Sequence, residues 1–418
     1  MTILSNDKTL IISKKPDQAV VRIKALIESV PAYQRLTQNI DIQGIHSLDK
    51  LLSLLPVVTK SDLIKFEKSV YSVPASKIML FSETSGTTGK PLSTPRGSDE
   101  FSWNMFNQAN AYRHHVQPGL DRVAILHPSV MSPFVEVSAR ALQEIGVGYV
   151  RVFPIPKLCE YERLFRIFED YDITTIMSTP TLIYKIFFEF KKRFGGKLPR
   201  ALNKLLLTGE YITSHNLRNL DSILGRGPSA ARAFVYGSSE AASVMYGTPD
   251  ATYYGYLNDF VFEIMPIESA WVEQFDRPEG AVTGELYVTW LRDGIMPMLR
   301  YNTMDIFTVW KNAVEQEWNF RAEGRFHDEL ITPWFRSVVD TVIYSFGFPI
   351  YHFNVDVYDT CIKIVLIVDI STDSKLCSQK IIEDLQVLGM DVDLTINPKD
   401  HDFYDFSPIA KSSSFNRK

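Results

Sequence analysis

Residues 82–91 read Ser-Glu-Thr-Ser-Gly-Thr-Thr-Gly-Lys-Pro. In such a run, backbone N–H groups and the hydroxyls of Thr84, Ser85, Thr87 and Thr88 can donate hydrogen bonds to a polyphosphate. Lys90 adds a positive charge. Gly86 and Gly89 allow a close backbone approach that a Cβ would forbid. A Walker A loop needs four residues between its first glycine and the Gly-Lys pair. Here only Thr87 and Thr88 separate Gly86 from Gly89, and proline follows the lysine. The chemistry is that of nucleotide binding by a different loop; a hydroxyl-rich solvent loop is the competing reading.

Further segments could serve the same chemistry. In Tyr236-Gly237-Ser238-Ser239-Glu240 the tyrosine can stack on a purine and Glu240 can ligate magnesium. In Arg300-Tyr301-Asn302-Thr303-Met304-Asp305 the last carboxylate could accept both hydroxyls of a ribose. Leu207-Thr208-Gly209-Glu210 ends an apolar run at a tight turn, and Gly324-Arg325-Phe326-His327-Asp328 lies at a shift in composition. Taken singly, each is as compatible with a structural turn as with a site.

The elements that must position these residues follow from periodicity. The first 75 residues read as mainly helical, with Ser61-Asp62 capping a short helix. Ile78–Phe81 reads as a strand feeding the hydroxyl-rich loop, and Phe101–Tyr112 as a helix with one aromatic side. From Val123 onward, short apolar strands alternate with helices: strands at 123–126, 148–153, 174–177, 204–208 and 233–236, helices at 133–144, 160–170 and 180–194. That alternation predicts a parallel or mixed α/β sheet. Tyr253–Met265, Gly284–Thr289 and Ile306–Val309 suggest an antiparallel section. Val338–Ser345, Cys361–Ile370, Ser374–Leu388 and Val392–Ile396 read as β, β, α, β. The fold class is α/β, a large N-terminal domain of mixed sheets and helices (1–324) followed by a small α+β domain (325–418).

Bulk properties narrow the function classes. A chain of 418 residues suits more than one core. Its net charge of −5, without a basic cluster, points away from nucleic acid. Three scattered cysteines form neither a disulfide framework nor a metal motif. The longest apolar run, Ile362–Ile370, contains Lys363 and is too short to span a bilayer. The expectation is a soluble cytoplasmic protein with no membrane partner. His114-His115 and His127 have no acid or thiol at metal spacing.

In their order along the chain the motifs resemble the adenylate-forming superfamily of acyl-CoA synthetases, adenylation domains and luciferases, and within it the phenylacetate-CoA ligase branch. Thr84–Pro91 is similar to that branch's phosphate loop, and Tyr236–Glu240 to its Tyr-Gly-x-Ser/Thr-Glu motif. Arg300–Asp305 is similar to its Arg-Tyr-Arg-Thr-x-Asp motif, Gly324–Asp328 in part to Gly-Arg-x-Asp-Asp, and Thr59–Leu63 to its Thr-Lys-x-Asp-Leu stretch. The resemblance implies that a carboxylic acid and ATP give an acyl-adenylate and pyrophosphate, and that a thiol or amine then attacks. It assigns Lys90 and the loop donors to the phosphates, and Glu240 and Thr88 to magnesium. Asp305 and Arg325 fall to the ribose, and Gly209, Glu210, Tyr236, Gly237 and Ser239 to the nucleotide pocket. Phe134, Tyr211 and Ala241, with Ala242, would wall an acid pocket shaped for a planar aromatic acid. The implied cofactors are ATP, Mg²⁺ and CoA; the implied partners are a small aromatic carboxylic acid and CoA or a carrier protein, with a homodimer left open.

The sequence departs from the family in three places. His327 stands where the hinge aspartate is usual. Glu329–Phe335 replaces a glycine-containing loop that in the family helps to form the thiol channel. The C-terminal catalytic-lysine signature is degenerate: counting from Lys411 puts Asn416 at the lysine position and Lys418 two residues late. Lys411 and Lys418 are the candidates for that role. The acceptor therefore stays open between CoA, a carrier thiol and an amine, as does a homologue that binds nucleotide without turnover.

Overall fold

The computed structural model describes residues 2–4, 9–84, 90–127, 132–326, 329–346, 348–368, 374–398 and 415–418. Its organising element is a continuous 13-stranded sheet. At one end lie five parallel strands, in spatial order Gly148–Arg151, Arg122–Leu126, Thr175–Ser178, Lys204–Thr208 and Ala231–Ser238. The middle three are short apolar runs buried on both faces, and helices connect the five as parallel strands require. Ala231–Ser238 then turns back into Ala242–Gly247, and from there the sheet is antiparallel through Tyr301–Lys311 and Val282–Trp290 to Leu10–Ile12 and, at the far edge, Thr2–Leu4. The carboxyl ends of the parallel strands, where Gly209 and Tyr236–Glu240 emerge, form one lip of the molecule. Ligands of open α/β sheets gather at such ends.

A second, separate core lies in a four-stranded sheet whose order is Asp391–Pro398, Cys361–Val368, Ile350–Val357 and Phe415–Arg417. The segment 338–345, read from its β-branched residues as a strand, lies instead in the helix Pro333–Tyr344. Thr332 caps the helix by accepting from the Phe335 amide, proline occupies its first position, and Phe335, Val339 and Ile343 recur every fourth residue on its buried face. Capping and spacing outweigh strand propensity here.

Three more local expectations change. Residues 78–81 join no sheet. They form one side of an exposed hairpin, bridged Leu80 to Arg96 and Glu83 to Ser93, with Phe81 68 % exposed. The short N-terminal helix begins two residues earlier than read: Thr59 is the cap in place of Ser61, and Asp62 completes a capping box. The helix Ser214–Leu224 was not anticipated, since its buried face includes Asn216 and Asn219. Those asparagines dock the small unit onto the large one. The Asn219 amide donates to the Ile350 carbonyl (2.7 Å) and accepts from the Ile350 N–H (3.0 Å), as a neighbouring strand would. Asn216 and Asn219 both donate to the Tyr184 hydroxyl, and Tyr351 packs edge-on against Phe188.

Two imidazoles carry a pH signature of this packing. Burial pushes His115 down to about 3 and His352 down to about 4. Between those values and about 6.5 the unfolded chain binds protons that the folded chain refuses. Their contribution to stability is therefore complete above pH 6.5 and lost as pH falls toward 4 and then 3. Thermal unfolding from pH 7 to pH 4 should show a falling midpoint, and His115→Phe, beside Phe234, should flatten the fall; an unchanged slope in that variant would contradict the assignment.

Candidate functional site

The arms of the 80–96 hairpin flank the hydroxyl-rich stretch in sequence. Ser85, Gly86, Thr87, Thr88 and Gly89 lie outside the described residues; both shoulders of the loop are described. Thr84 is buried at the neck, where its amide donates to the Leu92 carbonyl (3.0 Å) and its hydroxyl accepts from the Leu92 N–H (3.0 Å). Thr84 therefore closes the base of the loop, while Lys90 stands exposed on the returning side.

Arg96, on the returning arm of the hairpin, is 2 % exposed. Its guanidinium pairs with Glu100 (3.1 Å) and donates to the carbonyls of Ser239 and of Glu240 (3.3 Å). One side chain thus joins the 80–96 hairpin to the Tyr-Gly-Ser-Ser-Glu turn. That turn reverses tightly: a Cβ on Gly237 would lie 2.0 Å from the Ala242 carbonyl oxygen, so only glycine fits. Ala241, buried, donates its N–H to Ser238 Oγ at 3.0 Å, and Ser239 is half-buried.

Glu240 is itself buried, with its carboxylate 3.3 Å from Lys60 Nζ. Lys60 comes from the capped N-terminal helix, which is tied to the opposite wall. Val58 accepts from the Asn302 N–H (2.9 Å) and donates to the Arg300 carbonyl (3.1 Å), and Arg300 reaches the Leu55 carbonyl. Arg300 is also paired twice over with buried Glu263 (2.8 and 3.1 Å). Burial raises the Glu263 carboxyl above its ordinary range, and Arg300 works against that rise.

Asp305 sits between two other motifs. It accepts from the Tyr236 hydroxyl (2.7 Å) and from Arg325 (2.6 Å). Burial and then the Asp305 charge push the Tyr236 hydroxyl far up, so it remains a donor. Burial opposes the charge on Arg325, and Asp305 more than offsets it. Tyr236, Asp305 and Arg325, from three strands or strand ends, therefore form one contact group. A carboxylate has about four acceptor positions, so these partners leave room for a diol hydroxyl.

Across the lip, Gly209 has φ +81°, and a Cβ there would lie 3.2 Å from His127 Nε2. His127 packs against Phe134 with ring centroids 4.8 Å apart, so Gly209 and Phe134 share a neighbour. Glu210 turns away to the helix Pro180–Arg193, accepting from the Thr181 N–H (3.1 Å) and hydroxyl (2.7 Å). Tyr211, half-buried, has its hydroxyl raised by burial first and then by the charges of Glu323 and Asp340. At the C-terminus, Lys411 lies outside the described residues. Lys418 pairs with Asp356 (3.6 Å), and Asn416 donates to Asn354 and Asp356 (2.9 and 3.0 Å), all on the small sheet.

The donor set suits magnesium in one respect. This ion is commonly held by one or two carboxylates together with substrate phosphates and water, and Glu240 presents a single carboxylate beside the phosphate-loop hairpin. Lys60 occupies one of its oxygens and would have to yield. Among the described residues no group of three His, Cys, Asp or Glu side chains gathers as a metal cage. A separate cavity of about 450 Å³, lined by His114, His115, Arg232, Tyr246 and Glu317 among others, opens at the amino ends of the parallel strands and shares none of the predicted site residues. Arg96 and Lys60 were missed as site residues in the sequence. The lysine lies within a motif that could have flagged it; nothing local marks the arginine.

No curated protein sequence matches the chain. By structure it is similar to 2-hydroxyisobutyryl-CoA ligase in the postadenylation state in complex with R3-HIB-AMP, with a TM-score of 0.77 at 15 % identity over 97 % of this chain and 91 % of that one. Against the same ligase with 2-HIB-AMP and CoA in the thioesterification state the TM-score is 0.57 at 16 % identity, over 96 % and 90 %. The amide bond synthetase McbA from Marinactinospora thermotolerans gives 0.50 at 16 % identity, over 77 % and 65 %. The family profile described as AMP-binding enzyme matches residues 4–289, well over half the chain. With the ordered motifs gathered along one sheet lip, the chain belongs to the AMP-binding enzyme family, within the adenylate-forming superfamily.

Proposed function

We propose that the protein activates a carboxylic acid with ATP and passes the acyl group to coenzyme A. The observation that supports this most is the contact group of Tyr236, Asp305 and Arg325 beside the Arg96-anchored turn of Glu240. A carboxylate is a poor electrophile because its leaving group would be oxide. Attack of its oxygen on the α-phosphorus breaks the bond to pyrophosphate and leaves the acid attached to AMP, a good leaving group. A thiolate then attacks the acyl carbon and AMP departs.

Little covalent chemistry falls to the chain; its work is alignment and charge compensation. Lys90 and the loop donors, Thr88 among them, face the phosphates. Asp305 accepts the ribose hydroxyls with Arg325 beside it, and Tyr236, Gly237, Ser239, Gly209 and the backbone of Glu210 frame the base. Glu240, with Thr88, would hold magnesium, which when bound neutralises phosphate charge. Phe134, Tyr211 and Ala241 wall the acid pocket, and their planar, apolar character favours an aryl or arylacetic acid. The unit from residue 325 onward acts as the mobile small domain, pivoting near Gly324, where φ is +101°. Lys418 or Lys411 would complete the adenylation site once that domain turns.

A second reading, transfer to a carrier thiol or directly to an amine, is favoured by one observation. The stretch that would be a glycine-containing channel loop is consumed in capping the helix Pro333–Tyr344.

Pyrophosphate release should depend on an acid drawn from a panel of benzoic, arylacetic and short hydroxy acids. Lys90→Met and Glu240→Gln should each lower it by about a hundred-fold or more, the scale of losing a positioned charge at a phosphate. Unchanged rates in both variants would sink the mechanism, and binding of ATP without release on any acid would leave a nucleotide-binding homologue. Consumption of the acyl-adenylate should accelerate on adding CoA; acceleration by amines instead would select the second reading.

A further inference from the structure

The helix Ser98–Arg113 buries an unusual face. Glu100, Asn104, Asn107 and Gln108 lie inside beside Tyr112, while Phe106 is 52 % exposed. Buried amides are tolerated where hydrogen bonds replace water, and here the bonds of Asn104 and Gln108 converge on the turn that carries Glu240. Gln108, fully buried, donates from Nε2 to Ser243 Oγ (2.9 Å) and accepts at Oε1 from Ser138 Oγ (2.6 Å). Asn104 accepts from the Ser243 N–H at 3.1 Å. Arg96 holds the other shoulder through the carbonyls of Ser239 and Glu240. Between the two grips lies Ala242 at φ +66°, a left-handed conformation that a residue with a Cβ adopts only when its surroundings impose it. Ser138 sits one helical turn beyond Phe134 on the helix Phe134–Glu144, so the same amide ties the acid-pocket helix to the turn.

The geometry points to Gln108 as a positioning residue for Glu240, acting through Ser243 and taking its own place from Ser138. Its bonds go to Ser243 and Ser138, neither of them assigned to the nucleotide or the acid. Its two bonds fix the C-terminal shoulder of the turn, and hence where the Glu240 carboxylate stands relative to the phosphates. This rests on the reading of Glu240 as a magnesium-holding group.

The test is calorimetric titration of ATP onto the full chain, in magnesium and in EDTA, alongside thermal unfolding. Gln108→Met should raise the magnesium concentration needed for half-maximal ATP affinity by about ten-fold, the scale of misplacing one charged contact. Its ATP affinity in EDTA should stay unchanged. Ser243→Ala and Ser138→Ala, smaller changes that the fold should carry, should shift the magnesium requirement in the same direction. A lower unfolding midpoint with an unaltered magnesium requirement in all three variants would overturn the inference and leave a packing amide. So would an equal loss of ATP affinity in EDTA. A wild-type chain whose ATP binding ignores magnesium would remove the assigned role of Glu240 and this inference together. Magnesium-dependent binding without pyrophosphate release on any acid would defeat acid activation alone, and the variants would still decide the role of Gln108.

Discussion

One buried guanidinium holds the site together. Arg96 leaves the hairpin that displays the hydroxyl-rich loop, pairs with Glu100 on the following helix, and reaches the carbonyls of Ser239 and Glu240 across the sheet lip. A charge this deep is acceptable only with its partners in place, and removing one partner of such a pair costs about 3–5 kcal/mol. The planar, multi-donor shape of arginine allows one residue to satisfy three acceptors from two elements at once. The returning arm of the hairpin at Arg96 and the Glu240 turn, 144 residues apart in sequence, are therefore held to one another.

A second stitch works from the opposite wall. Arg300, paired with Glu263 and bonded to the Leu55 carbonyl, presses the N-terminal segment against the strand that bears Asp305. Val58 completes that seam, and the capped helix behind it delivers Lys60 to Glu240. Two carboxylates of the site are thereby met by protein cations, Glu240 by Lys60 and Asp305 by Arg325. These pairs keep the carboxylates oriented before any nucleotide arrives, so less ordering is left for binding to impose.

The small domain is attached by a different kind of contact. The Asn219 amide imitates a strand neighbour at Ile350, and Tyr351 enters the large core beside Phe188. Directional bonds at a few points, backed by aromatic packing, define one docked arrangement.

Much of this was legible in the residues alone because its causes are local. Alternating apolar strands and helices between 122 and 208 reveal the parallel half of the sheet through spacing that any short window contains. Gly209 marks a turn through a φ that glycine adopts freely, and Gly237 marks a backbone approach that leaves no room for a Cβ. The ordered motifs were enough to point to the superfamily. What only the tertiary structure decided depends on partners far along the chain. A buried Arg96 or Gln108 looks in sequence like any polar surface residue, and the helix Ser98–Arg113 hides its role because its inward face is polar. The Pro333–Tyr344 helix misled because β-branched residues favour strands only when no cap and no four-residue apolar rhythm compete. Chain order fixes which groups exist; long-range hydrogen bonds and burial choose which of them meet, and those energies are not written in any local window.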